Sequence, residues 1–185
     1  MRFRFVSIFV FALGLASLPA SAQFLNVGVK AGVPLNDGFN ITPYKDFATN
    51  TVTNPYIIGP EVGVNLPFHL GIEFDALYRH YRFLGQSGSE WQFPLLLKYR
   101  FKGVPLVRPF VDAGPVFNHV SDIPFFTQNQ NSPGFAVGGG LDFHFLLLHV
   151  TPEFRYVRIA DTNYFVDSGR KSNQNQAQFL VGFTF

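Results

Sequence analysis

Ala177-Gln178-Phe179-Leu180-Val181-Gly182-Phe183-Thr184-Phe185 ends the chain, with large apolar residues at 179, 181, 183 and 185. Alternation at period two places Phe179, Val181, Phe183 and Phe185 on one face of a strand. Chain termini of soluble domains are usually polar and frayed. The closing strand of a membrane-embedded barrel, in contrast, turns an apolar face to lipid. An ordinary edge strand of a soluble sheet is the alternative, and the rest of the chain has to decide between them.

The other end argues for export. Arg2 and Arg4 precede an apolar stretch over residues 5–18, and Ala20-Ser21-Ala22 follows as a small-x-small cleavage site. This pattern predicts a signal peptide over residues 1–22 and a single mature domain over 23–185. The apolar stretch is shorter than the roughly 20 residues a spanning helix needs. Of the 14 Lys and Arg, two are Arg2 and Arg4, so the mature chain carries 12 bases against 12 acids. No basic surplus remains for nucleic acid. Cysteine is absent, so neither disulfides nor thiol chemistry is available. The composition is 47% hydrophobic with 24 Phe. No second apolar run reaches the roughly 18 residues of a spanning helix. An exported chain this apolar implies strands in a membrane.

Eight alternating segments predict eight strands, at about 24–33, 55–66, 70–82, 90–102, 107–119, 134–145, 149–159 and 176–185. Each has one apolar face. Val27, Val29 and Val33 form that of the first, and Trp91, Phe93, Leu95, Leu97 and Tyr99 that of the fourth. The connections alternate in length: those near 67–69, 103–106 and 146–148 are short, and those near 34–54, 83–89, 120–133 and 160–175 are longer. An even-stranded barrel with both termini in the periplasm has this arrangement.

Parity alone does not say which face points outward, because a soluble ligand-binding barrel alternates too. The opposite face decides. It carries Gly28, Gly32, Gly59, Gly63, Gly71, Gly114, Gly138, Gly140 and Gly182. Glycine packs nothing on a solvated strand, but it suits the crowded interior of an eight-stranded barrel. The same face carries Glu61, Glu73, Asp75, Asp112, Asp142 and Glu153 against Arg79, Lys98, Arg100 and Arg155, with Lys30, Arg108 and His144 nearby. Charges in so narrow a lumen have to pair. The reading is therefore an all-β, eight-stranded antiparallel transmembrane barrel with a charge network filling its lumen. A narrow passive pore for small solutes is the alternative. Pro60, Pro94, Pro109, Pro115 and Pro152 fall inside the predicted strands, where each removes a ladder donor; bulges would absorb them.

Several segments resemble the small outer-membrane β-barrel family of the OmpA/OmpX type, often called porin-family proteins. They are Val27-Gly28-Val29-Lys30-Ala31-Gly32-Val33, the strand from Trp91 to Phe101, Arg108-Pro109-Phe110-Val111-Asp112-Ala113-Gly114-Pro115, Gly138-Gly139-Gly140-Leu141-Asp142-Phe143 and Thr151-Pro152-Glu153-Phe154-Arg155-Tyr156. The resemblance spans essentially all of the mature chain and implies a barrel in the cell outer membrane of a Gram-negative bacterium. The resemblance covers the barrel and does not extend to the peptidoglycan-binding domain of OmpA-type proteins, so a role in tethering the membrane to the wall is not expected. The terminal strand, with Phe179, Val181, Phe183 and Phe185, resembles the tag read by the barrel-assembly machinery, which with periplasmic chaperones would be the chain's partner during biogenesis.

Candidate chemistry is sparse. His119 and Ser121 share a parity at the end of the fifth strand, and this superficially resembles lipid A deacylase barrels, where such a pair acts as base and nucleophile. Asp122-Ile123-Pro124 follows here instead of that family's Asn-Ala-Gly-like context, so a rim histidine and no catalysis is the expectation. His69, His80, His119, His144 and His149 lack metal-ligand spacing, so neither metal nor cofactor is expected. On the outward parity, Tyr56, Tyr78, Trp91, Phe117 and Tyr156 form an aromatic girdle. His80, Arg82, His119 and Arg158 lie just beyond it, where Arg82 and Arg158 would meet lipopolysaccharide phosphates. A monomer with a structural or surface-interaction role, its contacts made by the loops over 34–55 and 120–133, is the expected function.

Overall fold

Each alternating segment is extended, the one predicted over 70–82 being split at Ala76 into two strands, and together they join into one closed ladder. In the computed structural model the described residues are 24–36, 39–41, 52–83, 86–104, 106–121, 127–145, 147–163, 165–167 and 170–185. The predicted signal peptide lies outside them. The elements are β1 (Leu25–Pro34), β2 (Phe39–Ile41), β3 (Val52–Asn65), β4 (Leu70–Asp75), β5 (Leu77–Phe83), β6 (Gln86–Arg100), β7 (Val107–Val120), β8 (Asn131–Phe145), β9 (Leu148–Ile159), β10 (Phe165–Asp167), β11 (Arg170–Ser172) and β12 (Asn175–Thr184).

Eight staves follow one another around the barrel: β1, β3, β4 with β5, β6, β7, β8, β9 and β12. Every pairing is antiparallel, and β12 returns to pair with β1 from Gly28↔Thr184 to Pro34↔Gln178. Val27 and Phe185 exchange backbone bonds of 3.1 and 3.3 Å at the end of that seam. Closure leaves no unpaired edge, which is what lets strands cross a bilayer. β2, β10 and β11 form a separate three-stranded sheet between the first and last long connections. Period-two reading did not find it, because each of its strands has only three residues.

The predicted connection at 83–89 contracts to 84–85, since β5 and β6 keep pairing from Leu77↔Gln92 to Phe83↔Gln86. Ser87, Gly88 and Ser89 carry no apolar alternation, so the pattern gives no signal for this pairing. The prolines also behave differently from expectation. Pro94, Pro109, Pro115 and Pro152 sit in unshifted register. Pro60 instead marks the break between β4 and β5. The Ala76 amide donates to the Pro60 carbonyl at 3.0 Å, but proline has no N–H to return. The one shift near it falls between Thr53 and Ile57.

The first tight turn is strained. Leu70 N donates to Pro67 O at 3.4 Å across Phe68 and His69, whose φ angles are 64° and 66°. Two consecutive positive φ values define the hairpin turn that favours Asn-Gly. A side chain there costs about 1–2 kcal/mol. His69→Gly is therefore expected to stabilise the barrel by about 1 kcal/mol, read as a raised denaturant midpoint with an unchanged slope.

Outward and inward faces separate cleanly. Val27, Val29, Ile58, Ile72, Phe74, Leu95, Leu97, Val111, Phe117, Phe135, Val137, Phe154 and Phe183 are exposed. Lys30, Glu73, Asp75, Lys98, Asp112, Glu153, Arg155 and Gln178 are buried. The apolar surface is outside and the charge inside, the reverse of a soluble domain.

Candidate functional site

The lumen is layered. Its middle holds Lys30 from β1, Glu61 from β3, Glu73 and Asp75 from β4, Lys98 from β6, Asp112 from β7, and Glu153 and Arg155 from β9. Odd or even parity turns each of these inward, and closure brings them together from six staves. Lys30 Nζ lies 3.5 Å from Glu61 Oε1, 3.5 Å from Asp75 Oδ2 and 3.2 Å from Glu153 Oε2, and also bonds Glu73. Arg155 spans the same acids: Nη1 donates to Asp75 at 2.7 Å, Nη2 to Glu73 at 3.0 Å, and Nε to Glu153. Lys98 bonds Glu73 and sits 4.2 Å over the Phe110 ring.

Glycines make room for this network. A Cβ on Gly138 would run into the Asp112 and Glu153 carboxylates, and one on Gly182 into Thr151 and Glu61. The acids still outnumber the bases here. Glu61 Oε2, Asp75 Oδ1 and both Asp112 oxygens accept no hydrogen bond from protein. Removal of a cation from such a cluster is costly, because it leaves buried acids uncompensated.

Towards the long loops the lining becomes apolar. Leu96, Val116, Ala136, Val157 and Ile159 pack as one buried cluster and Ile57, Leu77 and Leu180 as another. Beyond them a second polar layer begins. Arg79 pairs with Glu90, whose Oε1 accepts from Gln92 at 2.9 Å and from Gln176 at 3.2 Å. Gln178 donates to Gln92 at 2.8 Å. On β6, β7 and β12, and where β4 meets β5, an apolar residue thus separates two polar zones. At the tight-turn end, Arg100 Nε donates to Asp142 Oδ2 at 3.2 Å, beside His144 and His149. A pocket of about 10 Å³ opens there, lined by Asn26, Arg100, Asp142, His149 and Thr151 among others. That is room for one water.

No protein-family model matches the chain, and no curated sequence does. Solved structures match over nearly the whole barrel. Neisserial surface protein A is 16% identical and superposes with a TM-score of 0.59, covering 88% of this chain and 96% of that one. The outer membrane protein OprG of Pseudomonas aeruginosa is 14% identical at a TM-score of 0.51, over 88% and 94% of the two chains. The outer membrane protein AlkL, solved in lipid bilayers, is 13% identical at 0.50, over 88% and 90%. The fold is that of the small outer-membrane β-barrels.

Within this barrel the predicted residues fall into three groups. Glu61, Glu73, Asp75, Lys98, Asp112, Glu153 and Arg155 meet at the centre, whereas Arg79 belongs to the loop-side layer, and Arg100 and Asp142 to the turn-side mouth. Sequence reading left Lys30 at the margin of the network, yet it is wholly buried and touches four carboxylates. It also missed Glu90, Gln92, Gln176 and Gln178, although the parity of Glu90 and Gln92 is that of Lys98. The apolar layer had no signal at all, because an inward Leu or Val on a mostly polar face reads as noise.

Phe179, Val181 and Phe183 lie on the outward parity of β12, which pairs with both β1 and β9, and Phe185 follows just past its end, exposed. The Tyr78 and Trp91 rings meet at a tilt of 56° with centroids 5.1 Å apart in the expected girdle, and Trp91 pairs with His119. Arg158 is exposed beyond it, 3.5 Å from Asn175 Oδ1. Arg82 pairs with Val52 and Ser87 in register, and its side chain lies outside the described residues. His119 Nδ1 is 2.8 Å from Asn131 Oδ1, while Ser121 Oγ accepts the Ser89 amide at 2.9 Å. Asp122 lies outside the described residues.

Proposed function

We propose that this chain is an outer-membrane barrel whose lumen is plugged, whose role is structural or surface interaction, and which performs no catalysis. The tight turns, the start of β1 and the end of β12 would face the periplasm and the long connections the exterior. The observation that carries this reading is the buried Lys30–Glu73–Asp75–Glu153–Arg155 cluster spanning the lumen's middle. An ion crossing the barrel would have to break several charge-assisted bonds at once, in a channel that side chains already fill. The neighbouring apolar layer adds a second barrier that holds no water-binding groups.

With the lumen occupied, the parts left to act are the long connections. The small sheet of β2, β10 and β11 supports this, because it ties the first of them to the last by backbone pairing and so offers a held surface for a partner.

The experiment is planar-bilayer recording beside heat-modifiable gel migration of protein from outer-membrane fractions. The expected result is a folded, heat-modifiable barrel in those fractions that gives no steady conductance. Large, stable openings would overturn the plug, and absence from outer-membrane fractions would overturn the location.

A further inference from the structure

Asp142 and His144 lie two residues apart on β8, so both point to the lumen. His149, on β9, is the register partner of His144 across the tight turn. No helical or sequential metal motif announces this trio; a two-residue hairpin connection assembles it. The imidazole centroids are 4.1 Å apart. His149 Nδ1 lies 3.4 Å from Asp142 Oδ1, and His144 Nε2 lies 3.6 Å from Asp142 Oδ2. One donor atom from each residue falls within 4.8 Å of the others.

We propose that Asp142, His144 and His149 form a binding site for a divalent transition metal of the zinc class at the tight-turn mouth of the barrel. Four observations carry it. The 3.4 Å between His149 Nδ1 and Asp142 Oδ1 matches the edge of about 3.3 Å expected around a tetrahedral ion with bonds of 2.0–2.1 Å, and all three donors lie within 4.8 Å of one another. Two imidazole nitrogens and one carboxylate are the ligand set such ions prefer, whereas calcium and magnesium take all-oxygen sets. The Asp142 side chain is only 2% exposed, and its Oδ1 accepts no hydrogen bond. Both histidines are about a quarter exposed, and His149 lines the water-sized pocket together with Asp142, which leaves access and room for a water as fourth ligand.

Arg100 holds Asp142 Oδ2 at 3.2 Å, so the carboxylate is oriented from behind while Oδ1 stays open. Outer partners of metal-binding carboxylates play this role. Its charge also opposes a cation, which weakens the site relative to one without it. The other acidic groupings in the lumen, Glu61 with Glu73 and Asp75, and Glu73 with Asp112 and Glu153, differ in kind. Lys30, Lys98 and Arg155 already occupy them.

The test is titration of Zn²⁺ against a chromophoric chelator, using untagged full-length protein folded in detergent micelles at neutral pH. One Zn²⁺ per chain is expected. His144→Ala and His149→Ala should each weaken it roughly tenfold or more, and excess Ca²⁺ or Mg²⁺ should not displace it. His119→Ala, at the opposite end, should bind as the wild type does. Heat-modifiable migration checks the fold of every variant. Should Asp142→Asn fail to fold, the two histidine variants, altered at the open mouth, decide the matter. No saturable binding, binding that survives loss of both histidines, or displacement by Ca²⁺ would each overturn the site.

Discussion

Lys30→Met lowers the unfolding free energy of the barrel by about 3–5 kcal/mol, the largest loss expected from any single lumen side chain. Lys30 is fully buried and contacts Glu61, Glu73, Asp75 and Glu153. Methionine fills much of the same volume, so packing changes little. What changes is charge: five acids would be left with Lys98 and Arg155 alone among the central cations. Glu61 makes its described ion pair with Lys30. The double variant Lys30→Met/Glu61→Gln should therefore recover part of the loss, a non-additivity that a simple packing defect would not show. Equilibrium denaturant unfolding in lipid vesicles measures both. An unchanged midpoint for Lys30→Met would mean that the cluster contributes nothing net.

Gly28→Val should prevent the barrel from closing. A Cβ at Gly28 would overlap the Phe183 carbonyl and the Thr184 Cα, all of it backbone of the closing strand. Overpacking against side chains costs about 1–3 kcal/mol because they can rotate away. A carbonyl committed to the β1–β12 ladder cannot do so without opening the seam. The expected outcome is loss of heat-modifiable migration and rapid proteolysis. Gly63→Ala is the control. There a Cβ would stand 3.7 Å from the Ile72 carbonyl and 3.8 Å from Asn26, ordinary contact distances. That variant should fold normally, and equal damage from both would show that strand propensity, not the seam, is responsible.

These two residues show how much of the molecule could be read without coordinates. Both lie in Val27-Gly28-Val29-Lys30-Ala31, whose alternation marks a strand with one apolar face and one face of glycine and charge. That contrast was enough to turn the strand the right way. It did not distinguish Gly28 from Gly63, since the difference lies in how closely the neighbouring strand approaches. Nor did it rank Lys30 above Arg79 or Arg100. Rank among charges depends on height in the barrel, which register sets. The trio of Asp142, His144 and His149 has no signal along the chain for a related reason: its third member comes from across a hairpin.

The sequence by itself determined the class of fold, the number of staves and the direction each face points. Those properties follow from period-two alternation and from the cost of placing glycine and charge where they do not fit. The tertiary structure alone decided which charges meet, where an apolar layer interrupts them, and that the first and last long connections share a sheet. Contacts between strands distant in the chain depend on register and closure, and one residue of slip would rearrange every one of them.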